Sequence, residues 1–586
     1  MNRNQDIHTV LYVDIGSVNT RVCLFDRMDD KYSFIGAASA TTSGDITNQF
    51  EYLNVIQAVE KLEHATKRKI LDRNQNIVMP ATLDHSGIDQ VAVSYTCIPD
   101  PRIAVMGLTH AGSLQNVYDL LSKVGVKPVA EICAEDGKTV CENLDLFLQT
   151  APRIVIVSGG TEQGAEIGIY RLGEILMLAC RSLPKEQRPI ILYAGNSAAK
   201  KQMERVFSQI TDISFSTNVL ESGSGVQPTL NGLMNVLRKD LESRAPGFRI
   251  LREKTKCSVI PGEFAFGRTI RLMSRLIRQN RHILGIDIGA HQTILADAVN
   301  LALSLHTLPL GIGNNIGNLL NEYTPSDLQS WISFQIKSAE IQDYILNKSY
   351  YPDLIPANKY SAEIELALAR AIVMKGIENE SLSAILSDGS LAMVFLSGAV
   401  LRNVEDPGEA LLFAMDSLAP VGMVDYLLDM NGLSGAIGTL AHLNPVLASQ
   451  ITSTSAYLNL GKVIRPSVRS EQPGKSIMTV SVRDDAGNTR KYDIPFNRIY
   501  RIPLEYGKNY ELEWTKISHN VTIPGVKTWA PAGFKSGCFG LVFDTREEKD
   551  GKIKLPKEKA ARDKKLQSWR TELGPWLVKQ EEESHA

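Results

Sequence analysis

Two short stretches place an acid, a glycine and hydroxyls where they can act on a phosphate. LYVDIGSVNTRVCLFD, Leu11 to Asp26, ends one apolar run in Asp14-Ile15-Gly16-Ser17 and resumes another from Arg21. GIDIGAHQTILAD, Gly285 to Asp297, repeats the pattern far down the chain. Both carry Asp-x-Gly-x-x-x-Thr, as Asp14, Gly16 and Thr20 and again as Asp287, Gly289 and Thr293. A turn rich in Gly, Ser and Asn is ordinary hairpin chemistry. An aspartate ending a buried strand is less ordinary, because a buried carboxylate is costly unless something pairs with it. Magnesium bound with phosphate is such a partner. Glycine admits close backbone approach, turn amides and Ser or Thr hydroxyls donate to phosphate oxygens, and the aspartate holds the hydrated ion.

Two copies in the same strand–turn–strand context imply two related halves facing one cleft, their turns closing on the phosphates from opposite sides. A third turn, Leu396-Ser397-Gly398-Ala399, ends a buried strand where a nucleoside would rest. Each aspartate keeps a plainer alternative, the capping of neighbouring turn amides. Glu263, shortly before the second motif, either polarises an attacking water or is a surface glutamate. His291 either contacts a phosphate or is a polar turn residue. Gly159-Gly160-Thr161 either binds an anion at the following helix or makes a tight strand–helix connection. The ten histidines show no spacing from which a Ser-His-Asp set can be assembled.

The elements that must position these residues follow from apolar periodicity. Val10 to about Ala40 reads as strand, turn, strand, strand, Asn54 to Leu71 as a helix and Gln90 to Tyr95 as a strand. From about 100 to 250, helices alternate with short buried strands such as Ile154 to Val157, the rhythm of a doubly wound parallel sheet. Ile260 to Gln279 and Ile364 to Ile377 read as helices, and Ile283 to Asp287 and Met393 to Val400 as strands. After about Leu458, KSIMTVSVRDDAGNTRKYDIPF alternates apolar and polar residues around an Asp-Ala-Gly-Asn turn, opening a β-rich stretch. The lysine-rich tail from Arg546, ending in Glu581-Glu582-Glu583, reads as a helix or a disordered extension, with a recruitment site as the alternative.

Composition narrows the class. With 586 residues, 44% hydrophobic, 22% charged and a formal net charge of −2, the chain has room for roughly three or four domains at about 100 to 200 residues each. It has no general attraction for nucleic acid or an anionic membrane. MNRNQDIHTV lacks an apolar core of signal-peptide length, and no uninterrupted apolar run approaches a transmembrane span. The seven cysteines include no Cys-x-x-Cys pair, so zinc or iron–sulfur ligation by spacing is not expected and reduced, buried thiols are. The expectation is a soluble, cytoplasmic, multidomain protein.

The paired motifs resemble the phosphate-1 and phosphate-2 loops of the actin, hexokinase and heat-shock-chaperone superfamily. The order of segments resembles the MutL (GlmL) proteins associated with glutamate mutase, which are unrelated to the mismatch-repair proteins of that name. DIGSVNTRVCLFD, VSGGTEQG (Val157 to Gly164), LYAGNSAAKKQME (Leu192 to Glu204), VIPGEFAFG (Val259 to Gly267), GIDIGAHQT and GCFGLVFDTR (Gly537 to Arg546) match in order. The resemblance implies an α/β, actin-like two-lobed ATPase fold with an inserted parallel α/β domain and a C-terminal β-rich domain. The halves would span 8–95 and 256–458, the insertion 96–255, the β-rich domain 459–545 and the charged tail 546–586. It implies ATP and Mg2+ as cofactors, with Asp14 and Asp287 as metal ligands and, with Glu263, the catalytic set. Gly16, Ser17, Thr20, Arg21, Gly289, Thr293, Ser397 and Gly398 would bind the nucleotide. The partners implied are subunits of an adenosylcobalamin-dependent mutase, with the chain as its chaperone-like reactivase, alone or as a homo-oligomer.

Several positions depart from the pattern. In the second loop Ala290 replaces a glycine and Ile294 an aspartate. Arg21 stands where lysine is common, a planar fork in place of a point charge. Gly398 stands alone where two glycines are usual, and Thr-Cys-Ile-Pro-Asp-Pro at 96–101 replaces a Ser- and Gly-rich stretch. These losses favour, as the alternative, a degenerate actin-like scaffold or interaction protein without efficient ATP hydrolysis. A small-molecule kinase or hydantoinase-like amidohydrolase ranks below both, since no metal-ligand cluster or base is evident.

Overall fold

A computed structural model describes residues 7–42, 50–82, 84–98, 101–164, 166–220, 226–276, 280–453, 456–469, 471–526, 528–549 and 551–574. Pro99, Asp100 and the Glu581–Glu583 run lie outside them. The chain divides into two compact units, residues 1–264 and 265–586. No helix among the described residues is long and apolar enough to cross a membrane.

The first unit begins with an antiparallel meander, β1 (Thr9–Ile15), β2 (Asn19–Met28) and β3 (Lys31–Thr41). Helix α1 (Phe50–Thr66) packs on it through Val55, Ile56, Val59 and Leu62, a helical stripe that joins Leu11, Val13, Val22 and Leu24 in one core. β4 (Gln90–Tyr95) then runs parallel to β1. The chain departs into an insertion and returns as β10 (Ser258–Pro261), parallel to β4, which completes the order β3-β2-β1-β4-β10.

The insertion supplies a second sheet. Its strands are β5 (Ile103–Gly107), β6 (Ala130–Cys133), β7 (Ile154–Val157), β8 (Ile190–Tyr193) and β9 (Ile213–Phe215), all parallel in the order β6-β5-β7-β8-β9. Helices α2 (Gln115–Ser122), α3 (Val140–Thr150), α4 (Ile167–Ser182) and α5 (Lys200–Phe207) cross between them. The short, wholly buried β7 reads as a continuous apolar run because a parallel sheet is covered on both faces. α6 (Val226–Arg244) and α7 (Pro246–Thr255) lead back, and Phe248 of α7 meets Tyr95 edge-on at 5.5 Å.

The second unit repeats the first sheet. After α8 (Gly262–Leu276), β11 (His282–Ile288), β12 (Thr293–Val299) and β13 (Ala302–Leu308) form an antiparallel meander. β14 (Leu391–Gly398) and β15 (Gly422–Leu428) add parallel strands, giving β13-β12-β11-β14-β15. Two sheets, each an antiparallel meander extended by two parallel strands, are the actin-like α/β fold, with a parallel α/β insertion in the first.

The C-terminal strands divide between two sheets. Ser476–Asp484, Thr489–Pro495, Asn509–Ile517 and Ala532–Lys535 form a separate antiparallel sheet. β16 (Leu458–Arg465), Ile499–Ile502 and Leu541–Asp544 instead extend the sheet of the second unit, because Leu460, Val463 and Val542 join its core. The described part of the tail is helical over Lys559–Leu573, and it buries Leu566, Trp569 and Leu573 in that core.

A chain of buried charges fastens this end. Arg546 donates to Asp544 at 2.8 and 3.0 Å and to Asp416 at 2.6 Å, and its guanidinium lies 4.5 Å from the Trp569 ring centre. Arg465 donates to Asp544 at 2.8 Å and Arg370 to Asp416 at 3.1 Å. Burial by itself raises the Asp544 carboxyl. The charges of Arg546 and Arg465 and the Arg546 hydrogen bonds overcome it and hold the group at about 2. Breaking a buried pair strands its partner, so Asp544→Asn is expected to cost about 3–5 kcal/mol at neutral pH in urea unfolding. The folded value lies below the ordinary aspartate range, so this stabilisation is complete above about pH 4 and is lost as pH falls toward about 2. The gap between wild type and Asp544→Asn should therefore narrow over that window.

Candidate functional site

At the first motif, Gly16 closes the turn between β1 and β2 by donating its amide to the Asn19 carbonyl at 3.0 Å. A Cβ on Gly16 would lie 2.8 Å from that oxygen, so the turn requires glycine. Beneath it Thr20 is fully buried and shares a hydrogen bond with Thr42 at 3.1 Å. The Thr42 hydroxyl donates to the Gly16 carbonyl at 3.0 Å and its amide to the Val18 carbonyl at 2.7 Å. Thr42, just beyond β3, thus braces the turn from below. Asp14 and Ser17 are half-buried. The Ser94 hydroxyl donates to Asp14 Oδ1 at 2.7 Å, and Tyr12 and Ser94 share a hydrogen bond at 2.6 Å. The register puts Ser94 beside Asp14 on β4 and Arg21 opposite it on β2.

The second motif has the same closure, with the Gly289 amide donating to the Gln292 carbonyl at 3.0 Å. Thr293 is fully buried and donates to the Leu310 carbonyl at 2.9 Å, and the Ile312 amide donates to the Gly289 carbonyl at 3.0 Å. The segment Leu310-Gly311-Ile312-Gly313 lies against the turn, so that a Cβ on Gly313 would come within 2.7 Å of the Ala290 methyl. The Ala290 side chain therefore packs against this glycine segment. Asn315 ties it further, donating to the carbonyls of His291 and Pro309. Half-buried His291 is a turn residue whose main chain is held by Asn315. Ile294 stands opposite Asp287, as Arg21 stands opposite Asp14, and is 2% exposed.

β14 brings Ser397 beside Asp287 and Gly398 beside Ile288. Gly398 has φ +108°, and a Cβ there would lie 2.4 Å from the Ile288 carbonyl oxygen, so backbone conformation and space both demand glycine. Ser397 faces inward, 3.1 Å from the Ser434 hydroxyl and 3.5 Å from Asp429. Asp429, fully buried just after β15, caps the helix Ser434–Leu443 by accepting from the amides of Leu433 and Ser434 at 2.9 and 2.8 Å. Burial raises its carboxyl pKa, against the pull of those two amides and the Ser434 hydroxyl.

Glu263 is 5% exposed, which overturns its reading as a surface glutamate. It opens α8 immediately after β10, whose last residue is level with Tyr95 of β4 and so with Ile15 of β1, at the same sheet end as the Asp14 turn. Gly159-Gly160-Thr161 does not abut a helix N-terminus, since α4 starts only at Ile167. Gly159 and Gly160 have φ +136° and +73°, and a Cβ on Gly159 would meet Leu108 at 2.7 Å, so this is a tight connection. Glu162, next along, accepts from Ser197 and Asn218 and lines an open cleft of about 510 Å3 with Lys200 and Phe215.

Sequence reasoning missed Ser94, Thr42, Asp429 and the Leu310–Gly313 segment. Only the last had a local signal, Gly-x-Gly-Asn-Asn directly after a strand. The all-oxygen donors at the turns suit magnesium, which binds through one or two carboxylates and keeps several waters. Asp14, half-buried and oriented by a hydroxyl, fits that role, and Asp287 occupies the matching position in the second unit.

The model of the family described as MutL protein matches residues 10–456. The chain belongs to the MutL protein family. Solved structures similar to this family member share little sequence. Acetone carboxylase in its nucleotide-free form is 10% identical over 74% of this chain and 70% of its own, with a TM-score of 0.34. Xylulose kinase from Bifidobacterium adolescentis is 11% identical over 75% and 93%, with a TM-score of 0.28. The activator of 2-hydroxyisocaproyl-CoA dehydratase from Clostridium difficile, with bound ADPNP, is 11% identical over 76% and 98%, with a TM-score of 0.26. The fold assignment rests on the strand order.

Gly398→Ala should destabilise the protein more than Gly474→Ala, by about 1–3 kcal/mol in chemical denaturation. Both residues have positive φ, but a Cβ on Gly474 meets nothing within 4 Å, so that site carries the backbone strain without the collision.

Proposed function

We propose that this chain is an ATP- and magnesium-binding accessory protein of an adenosylcobalamin-dependent mutase such as glutamate mutase, acting as its reactivase. The observation that carries the reading is the duplicated turn, closed in both units by the same glycine-to-carbonyl hydrogen bond at 3.0 Å beside a strand-end aspartate. The match to the MutL protein family supports the choice of partner.

In this reading Gly16 and Gly289 close the turns with their amides and, lacking side chains, let a phosphate approach the backbone, Ser17 donates to its oxygens, and Arg21 adds positive charge near the first turn. Thr20 and Thr293 hold the turns in shape from within. Asp14 and Asp287 are each a candidate magnesium ligand in their own turn, and magnesium bound there would supply charge neutralisation at the phosphates. Glu263 is the candidate base, and Ser397 and Gly398 shape the nucleoside end. Nucleotide-dependent changes would then bias the mutase complex, because a ligand shifts only an equilibrium whose states it binds unequally.

Ile294 favours a second reading, a scaffold without efficient hydrolysis, because an apolar side chain stands opposite Asp287 and can hold neither metal nor water.

Calorimetry of MgATP binding separates the two. The proposal expects about micromolar affinity in the wild type, weakened at least about tenfold in both Asp14→Ala and Asp287→Ala, and ATP-dependent mutase reactivation that Asp14→Ala abolishes. No binding by the wild type would overturn it and leave the scaffold. Binding without measurable hydrolysis or reactivation would also favour the scaffold.

A further inference from the structure

The carboxyl edge of the inserted parallel sheet gathers side chains that the nucleotide turns do not use. β5 and β6 are neighbours, with Gly107 level with Cys133. The loop after β5 carries His110, and the turn after β6 carries Glu135 and Asp136. A His110 ring nitrogen, the Cys133 sulfur and a Glu135 carboxylate oxygen all lie within 4.8 Å of one another. We propose that His110, Cys133 and Glu135 form a binding site for a divalent transition-metal ion of the zinc class.

The donor set selects the ion. A thiolate with an imidazole and a carboxylate suits a borderline-soft cation, whereas magnesium and calcium take oxygen ligands. The surroundings are those of a metal-ligating histidine. Asp136 Oδ1 lies 2.6 Å from His110 Nε2, so an ion held at Nδ1 would leave a carboxylate orienting the ring from its far side, the support such histidines usually have. Glu131 Oε1 lies 2.9 Å from His110 Nδ1 and offers a further oxygen beside the set. The His110 amide donates to Glu135 Oε2 at 2.9 Å and holds that carboxylate at the loop. Cys133 is buried while Glu135 and the His110 ring reach solvent, so the thiol lies at the base and the ion has a way in.

The location has its own logic. Ligands of open parallel sheets bind beyond the carboxyl ends of the strands. In the order β6-β5-β7-β8-β9 the switch point lies between β5 and β7. There Leu108 fills the space beside Gly159 and Gly168, and the chemistry-bearing residues stand one strand over, at β5 and β6. Binding would release the Cys133 thiol proton to solvent, leave a neutral imidazole as ligand and staple the two loops together.

Cobalt(II) titration of the reduced full-length chain tests this directly. One equivalent should produce near-ultraviolet thiolate-to-cobalt charge-transfer absorption, and added zinc should bleach it. Cys133→Ser should abolish the band, whereas Cys141→Ser, which removes an exposed thiol outside the cluster, should leave it unchanged. Asp136→Asn, which changes the carboxylate beside His110 Nε2 and its bond from Lys138, should weaken binding by about 10–100-fold. His110→Ala, at an exposed ring, keeps the test decisive if Cys133→Ser does not fold. A wild type without the band, or a band that survives Cys133→Ser or His110→Ala, would overturn the site.

Discussion

The amide of Gly16 reaches the Asn19 carbonyl at 3.0 Å, and the amide of Gly289 reaches the Gln292 carbonyl at the same distance. Within each unit, the rest of the site depends on this closure. A turn this tight sets the register of the strands on either side, since a one-residue slip would reverse every side chain between the faces of the sheet. With the register set, an aspartate stands on the last turn-facing position of the first strand, with a serine of the next parallel strand beside it. A side chain on Gly16 would push the turn open and move that aspartate.

The two units use one frame for different electrostatics. Asp14 faces Arg21 across the hairpin and receives a hydroxyl from Ser94. Asp287 faces Ile294, and the corresponding serine, Ser397, turns to Asp429 and Ser434. The second loop is also braced more heavily, because the glycine segment from Leu310 to Gly313 lies along it. The first turn thus sets a charged residue across the hairpin from its aspartate, and the second is packed by a glycine segment.

At the other end of the second unit, stability rests on ion pairs removed from water. Asp544 and Arg546 each have two charged partners, one of them the other. Such an arrangement is justified only when every member is paired, since a stranded buried charge costs more than its pair contributes. The Arg546 guanidinium also lies over Trp569, so the terminal helix is tied to the sheet by apolar packing and cation–π attraction together. The lysine-rich tail, which reads from sequence as a helix or a disordered extension, is over Lys559–Leu573 a helix packed into the core. Its buried residues Leu566, Trp569 and Leu573 recur at helical spacing, but a strongly charged background masks them.

The sequence by itself determined the local features. The repeated Asp-x-Gly-x-x-x-Thr turns, the rhythm of the parallel insertion and the hairpin at Asp484–Asn488 are each written within a few consecutive residues, where periodicity and glycine speak directly. The tertiary structure alone decided which distant residues meet. Ser94 comes to Asp14 only because β4 pairs with β1, and Thr42 comes under Gly16 only because the meander folds back. Glu263 is buried only because α8 begins at the same sheet end. His110 meets Cys133 for the same kind of reason: parallel pairing of β5 and β6 brings their carboxyl ends together, although no Cys-x-x-Cys or similar spacing announces it. Contacts of long sequence separation are set by strand order and packing, and no window along the chain contains that information.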